Sequence, residues 1–259
     1  MNKQLIADLV KQATVEVPHE RQWDATTMKF DQDKFDWQEV WADFKRIIKP
    51  NGIVIIFGQM RSAIEVINAN PKWFRYEIVW EKTMPTGFLD AKVRPLRNHE
   101  LILVFAKSLK NTTYNPQKEK GIPYQRDRSG VAQHYAKTSR IPTLNNGDRF
   151  PKDTIKFSNH NHQSPHPTAK PVELIKYLLN TYTNEGDLVL DPFGGSGTTA
   201  IASLETHRQY ILIEKDENYH AIAQSRIIHW HNDRLNSTGT HTIPSDIPRL
   251  LGDQLCLFN

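Results

Sequence analysis

The chain has 259 residues, 38% of them hydrophobic, with 33 Lys or Arg against 29 Asp or Glu for a formal net charge of +4. That length suits one large α/β domain, or a domain with an insertion, and supplies enough apolar residues for a sizeable core. The single cysteine, Cys256, excludes an internal disulfide and fits a reducing cytoplasm; no stretch has the length and apolarity of a membrane span, and the opening MNKQLIADLVKQ lacks the apolar run of a secretory signal.

In chain order, Leu5, Ile6, Leu9 and Val10 recur at helical spacing and predict a helix within residues 1–22. Trp37, Val40, Trp41, Phe44, Ile47 and Ile48 predict another, which Lys49-Pro50-Asn51-Gly52 ends. IVIIFG at 53–58 is a continuous apolar run, the mark of a strand buried on both faces, and a helix follows from Ser62 to Ala69. RYEIVWEK at 75–82 and ELILVFAK at 100–107 predict two more strands. From 108 to 163 the composition turns polar and rich in Asn, Lys, Arg, Pro and Tyr, with little periodicity. A loop of that length inside a compact domain is functional or disordered. Pro171–Thr181 reads as a helix, Leu188–Leu190 as a strand, Thr198 onward as a helix, 208–216 as a strand and Glu217–His231 as a helix, with a polar tail from Asn232. No internal repeat interrupts this alternation, which implies a mostly parallel, doubly wound sheet.

The glycine-rich DPFGGSGTTA at 191–200 lies between a predicted strand and a predicted helix. Gly194, Gly195 and Gly197 permit a tight turn and close backbone approach to a ligand, and Gly195 to Ala200 fits G-x-G-x-x-A. An acid, Glu214, lies on the next strand, where a carboxylate can grip ribose hydroxyls while the turn takes the rest of the ligand. These residues alone leave open a dinucleotide dehydrogenase and a turn that merely eases strand into helix. Roughly sixty residues follow Gly197, short for a dinucleotide enzyme's second half. His160, His162 and His166 cluster without a cysteine or nearby acid, so no metal site is expected. His229 and His231 flank Trp230 and read as solvated or capping residues. Lys92, Arg94, Arg97, Lys118, Lys120, Arg126, Arg128, Lys137 and Arg140 interleave with Tyr114, Tyr124 and Tyr135. Such a mixture suits phosphate contact and base stacking, and also describes an ordinary solvated insertion. The net charge favours an acidic partner without naming one.

HPTAKPVELIKYLL at 166–179, DPFGGSGTT at 191–199 and Glu214 within ILIEKDENYHAIAQSRI together resemble the S-adenosylmethionine-dependent DNA amino-methyltransferases, the N6-adenine and N4-cytosine DNA methylases. The order matches the permuted group whose cofactor motif follows its catalytic half. WDATTMKFDQDKFDWQEVWADFKRIIKPNGIVIIFG, IVWEKTMPTGFLDAKVRPLRNHELILVFAK and TYNPQ extend the resemblance over roughly residues 23 to 231. It implies a Rossmann-like methyltransferase fold with a mostly parallel sheet in circularly permuted order. Residues 1–107 would form the catalytic-side part, 108–163 a target-recognition insertion, 164–231 the cofactor-binding part and 232–259 a polar tail. Asp191, Phe193, Gly195, Gly197 and Thr198 would line the methionine end of the cofactor, and Glu214 would accept from its ribose. His166, Pro167, Thr168 and Lys170 would close over it. Lys92, Arg94, Arg97, Arg126, Arg128, Lys137 and Arg140 would meet double-stranded DNA; a homodimer and a cytoplasmic, restriction-modification setting without membrane contact complete the expectation. TGFLDAK and PLRNHE most resemble adenine-modifying members, which points to adenine N6.

The family carries a D-P-P-Y-like or S-P-P-Y-like segment ahead of its W-D stretch. There the Asp or Ser side chain and a backbone carbonyl accept the hydrogens of the target amine, and the aromatic ring stacks the flipped base. Ahead of Trp23-Asp24 stands KQATVEVPHERQ, with one proline, Pro18, and no aromatic after it. No catalytic residue is therefore assigned. The expectation carries an alternative: an inactive or truncated DNA- and cofactor-binding remnant of the family.

Overall fold

A computed structural model describes residues 23–24, 29–30, 36–126, 143–159 and 169–238. The helix expected within 1–22, the tail beyond 238 and the histidines 160, 162 and 166 lie outside these residues. Two short strands, β1 (Trp23–Asp24) and β2 (Lys29–Phe30), pair antiparallel. Helix α1 (Trp37–Ile47) starts at Asp36, whose side chain accepts from the Gln38 N–H at 2.8 Å and so satisfies one of the orphan donors of the first turn. Strand β3 (Ile53–Gly58), helix α2 (Met60–Ala69), strand β4 (Phe74–Thr86) and strand β5 (Arg97–Ala106) follow. The helix starts two residues earlier than its periodicity predicts, because Gln59 and Ser62 form a reciprocal capping box ahead of the apolar face.

The polar stretch contributes β6 (Glu119–Lys120), β7 (Tyr124–Arg126), β8 (Thr143–Asn145) and β9 (Asp148–Arg149), paired as β6–β9 and β7–β8. Strand β10 (Thr154–Phe157) joins the main sheet beside β4, so the end of this stretch belongs to the sheet and not to a separate excursion. Helix α3 (Val172–Tyr182), strand β11 (Leu188–Asp191), helix α4 (Thr198–Glu205), strand β12 (Gln209–Leu212) and helix α5 (Glu217–Thr238) complete the order. The last helix runs seven residues past His231, into what the sequence marks as tail.

The principal sheet has the order β10-β4-β5-β3, and β11 and β12 form a second ladder. Its pairing is mixed. The pairs β10–β4 and β11–β12 are parallel, whereas β5 is antiparallel to both of its neighbours. The connection 87–96 carries only one 3-10 turn, Phe88–Asp90, too short for the crossover that a parallel neighbour requires. Helix α2 provides such a crossover between β3 and β4, which run in the same direction with β5 inserted between them.

Side chains of β5 alternate between two cores, as the two-residue period of a strand demands. Ile102 and Val104 pack with Ile78 and Trp80 against Leu174, Ile175, Leu178 and Leu179 of α3. Leu101, Leu103 and Phe105 face the other way, against Trp41 of α1 and Ala63 and Val66 of α2. The Trp41 indole N–H donates to the Val66 carbonyl at 3.3 Å, which gives a buried polar atom a partner while tying the two helices. A third cluster, Ala200, Ile201 and Ile227, joins α4 to α5. Burying each large apolar side chain contributes about 1.5–3 kcal/mol, so these layers supply most of the drive to fold. Val172 packs against both the first and the third clusters, which brings the start of α3 next to the first turns of α4.

Candidate functional site

The turn between β11 and α4 is set by local sterics. Gly197 has φ +80°, and a Cβ there would stand 2.9 Å from the Cβ of Ala223 on α5. At Gly194 a Cβ would come within 2.4 Å of Leu212 on β12. Glycine is thus needed for backbone shape at one position and for close packing of β12 at the other. The turn leaves the C-terminal end of β11, the side on which parallel α/β ladders place ligands.

Two carboxylates flank it. Asp191 accepts from the Phe193 N–H at 3.0 Å and from the Thr199 hydroxyl at 2.5 Å. Burial pushes its carboxyl above the usual range, against those two donors, and the charge of Glu214 adds to the rise. Glu214 is 3% exposed; one oxygen accepts from the Gly195 N–H at 2.5 Å and the other from the Asp216 N–H at 2.9 Å. Glu214 therefore holds the turn itself, and each oxygen retains a lone pair for a further donor. The Phe193 side chain stays partly exposed beside the turn, and Thr198 opens helix α4 and is buried. The structure thus brings together Asp191, Phe193, Gly195, Gly197, Thr198 and Glu214.

Lys170 precedes α3 and forms a 2.9 Å ion pair with Glu100, which also pairs with Lys82 at 2.8 Å. Burial pushes the Glu100 carboxyl up, but Lys170 and Lys82 outweigh it and hold the group below the ordinary carboxylate range. Each ammonium also lies over a ring, Lys170 over Phe57 at 5.1 Å and Lys82 over Trp80 at 4.8 Å. Lys170, expected over the cofactor, is thus fastened to β5 through Glu100. Sequence reasoning missed Lys82 and Glu100, whose only local signal is a charge set into an apolar strand. His166, Pro167 and Thr168 lie outside the described residues.

Lys92 and Arg94 are exposed on the connection from β4 to β5, and Arg97, also exposed, is the first residue of β5; Arg94 pairs with Asp90. Arg126 ends β7, and Arg128, Lys137 and Arg140 lie outside the described residues. Among the other basic and aromatic candidates, Lys120 pairs with Asp148, Lys118 lies over Phe150 and Tyr114 packs against Tyr182. These three have structural partners already. His229 is exposed and pairs with Asp233 at 3.2 Å, while the His231 ring sits edge-on to Trp230 and its pKa is lowered by burial.

Residues 17–225 match the DNA methylase family model. The chain belongs to this DNA methylase family. It is 28% identical over 204 residues to Type II methyltransferase M2.DpnII of Streptococcus pneumoniae, an alignment spanning 76% of this chain and 68% of that one. With Type II methyltransferase M.HpaI of Haemophilus parainfluenzae the identity is 29% over 205 residues, spanning 77% of this chain and 60% of its relative. Among solved structures, the M1.HpyAVI–SAM complex superposes with a TM-score of 0.54 at 25% identity, covering 73% of this chain and 81% of that one. The cytosine-N4-specific PvuII DNA methyltransferase shares the fold at 17% identity and a TM-score of 0.50, covering 80% and 79%. The architecture is accordingly the Rossmann-like methyltransferase fold of the DNA methylases, and the dehydrogenase alternative falls away.

Proposed function

We propose that the chain binds S-adenosylmethionine at the 191–198 turn and directs its methyl group to an exocyclic amine of duplex DNA, adenine N6. The observation that carries this reading is the glycine turn held by buried Glu214, with Asp191 beside it, at the start of α4. The donor set fits the ligand. Two carboxylates at a buried turn favour a cation, and the cofactor's sulfonium and ammonium are cationic. Glu214 lies two residues past the end of β12, where its free lone pairs suit ribose hydroxyls. The first N–H groups of α4 suit the cofactor's carboxylate. The bound cofactor supplies a methyl group already activated for transfer. What remains for the chain is to hold that group in line with the amine and to exclude competing orientations. Phe193 offers an exposed ring at the turn, and Lys170, fixed by Glu100, brings positive charge to the adjoining start of α3.

The target base must leave the helix to reach the site, so the DNA is gripped by its backbone. The exposed Lys92, Arg94 and Arg97, with Arg126, Arg128, Lys137 and Arg140, are the residues proposed for that grip. Adenine rests on the likeness of TGFLDAK and PLRNHE to adenine-modifying members. A second reading, binding of cofactor and DNA without turnover, is favoured by one observation: the 259 residues contain no adjacent prolines and hence no D-P-P-Y segment.

Transfer of tritiated methyl groups to duplexes whose acceptor amines are all adenine or all cytosine separates these readings. Incorporation into the adenine duplexes, abolished by Gly195→Asp, supports methylation of adenine. Incorporation into cytosine duplexes alone overturns the choice of base. Incorporation that appears only once a relative's D-P-P-Y segment is joined ahead of Trp23 supports the second reading.

A further inference from the structure

Helix α5 passes behind the glycine turn and touches it twice. Ala223 stands against Gly197, and three residues on, on the same helical face, the Arg226 guanidinium donates to the Ser196 carbonyl and, at 3.1 Å, to the Ser196 hydroxyl. Ser196 is 3% exposed and occupies the centre of the turn. Arg226 has alternatives. It borders an open surface groove lined also by Ile201, His229, Trp230 and Asp233, where water or the Asp233 carboxylate could satisfy it. Asp233 pairs with His229 instead. The guanidinium gives up hydration, enough to lower its pKa by burial, in order to lie on a neutral carbonyl and a hydroxyl.

The geometry has a direct consequence for the turn. A peptide plane sends its C=O and its N–H in opposite directions. Tying the Ser196 carbonyl to α5 therefore turns the Gly197 N–H back into the turn, where it donates to the Gly194 carbonyl at 2.9 Å. Glu214 holds the other arm through the Gly195 N–H. Gly195 and Gly197 both have positive φ, so this segment lacks the side-chain sterics that would otherwise fix it.

We infer that Arg226 is a positioning residue that clamps the 195–197 turn from behind in its ligand-ready shape. The inference rests on the proposed cofactor site but concerns the free protein as well. Without the clamp, binding must first order the turn, and affinity falls by the fraction of time the turn is competent.

The test uses the whole chain and reads two quantities. Amide hydrogen exchange at Gly195 and Gly197 reports the clamp without any ligand, and calorimetric titration with S-adenosylmethionine reports its effect on binding. Arg226→Gln is expected to speed exchange at both glycines and to weaken binding roughly ten-fold, the scale of one lost charged hydrogen bond. Arg226→Lys, which keeps a donor, is expected to recover most of both. Ile227→Val lowers stability at the neighbouring position without touching Ser196, and is expected to change neither. Unchanged glycine exchange in Arg226→Gln, or an equal effect of Ile227→Val, would overturn the inference. Absence of S-adenosylmethionine binding by the unaltered chain would instead defeat the cofactor reading, and the exchange measurement would still decide the role of Arg226.

Discussion

Asp191 and Glu214 show how a few atoms bias the site toward one class of ligand. Glu214→Ala removes a buried charged acceptor and is expected to weaken S-adenosylmethionine binding by about 1.5–3 kcal/mol, measured by titration. Asp191 adds a pH dependence. Its carboxyl titrates above the usual range because burial disfavours the charged form. Below that raised pKa the group is neutral and attracts a cation weakly; above it the charge is present. Affinity for the cofactor is therefore expected to rise with pH through the acid range, and Asp191→Asn is expected to flatten the rise. Stability moves the opposite way for this group. A folded pKa above the unfolded one gives stability that is lost as pH rises through it. Glu100 has the reverse sign, since Lys170 and Lys82 hold it low despite its burial. Its contribution is present above the ordinary carboxylate pKa and disappears as pH falls through the folded value. Acid denaturation followed by circular dichroism is expected to lose part of its steepness in Glu100→Gln.

At the scale of elements, two glycines separate the causes of strain. Gly186 and Gly197 have nearly the same φ, +81° and +80°, but only Gly197 would press a Cβ against a neighbour. Alanine at either position incurs the left-handed backbone cost, on the order of 1 kcal/mol. Gly197→Ala also drives into Ala223, so its loss of thermal stability is expected to exceed that of Gly186→Ala; equal losses would show that α5 yields freely. The strands were legible where apolar runs are long, as in IVIIFG and ELILVFAK, because a run apolar toward both faces needs little help from context. Their directions were not. The reversal of β5 is fixed by a connection too short to cross over, and a strand's own residues carry no record of direction. Strand β10, Thr154–Phe157, escaped notice because four residues alternating within a polar stretch give almost no signal. At the site, the glycine turn and Glu214 are close in sequence and were readable. The Lys82–Glu100–Lys170 cluster joins β4, β5 and the start of α3, and only the fold brings them together.

Across the whole molecule, α3 links the two ladders. Its apolar face packs on β4 and β5, and its first residues reach the cluster under α4. All six residues of β3 are only half-buried although their run is that of an interior strand, and β3 has β5 as its one partner among the described residues. Leu190 on β11 is likewise 38% exposed, and among the described residues β11 pairs only with β12. No helix of the described residues is long and apolar enough to cross a membrane. The proposed DNA grip through exposed cations predicts an affinity that drops steeply with added salt. Lys92→Glu combined with Arg97→Glu is expected to weaken duplex binding and to flatten the salt dependence in a titration by fluorescence anisotropy; an unchanged slope would remove these two residues from the interface. The central claim is that the glycine turn and its carboxylates select S-adenosylmethionine. Equilibrium titration of the unaltered chain with S-adenosylmethionine and, in parallel, with NAD tests it most directly. Saturable binding of S-adenosylmethionine, weakened by Glu214→Ala and absent for NAD, is the predicted result, whereas a preference for NAD, or S-adenosylmethionine binding indifferent to Glu214→Ala, would contradict it.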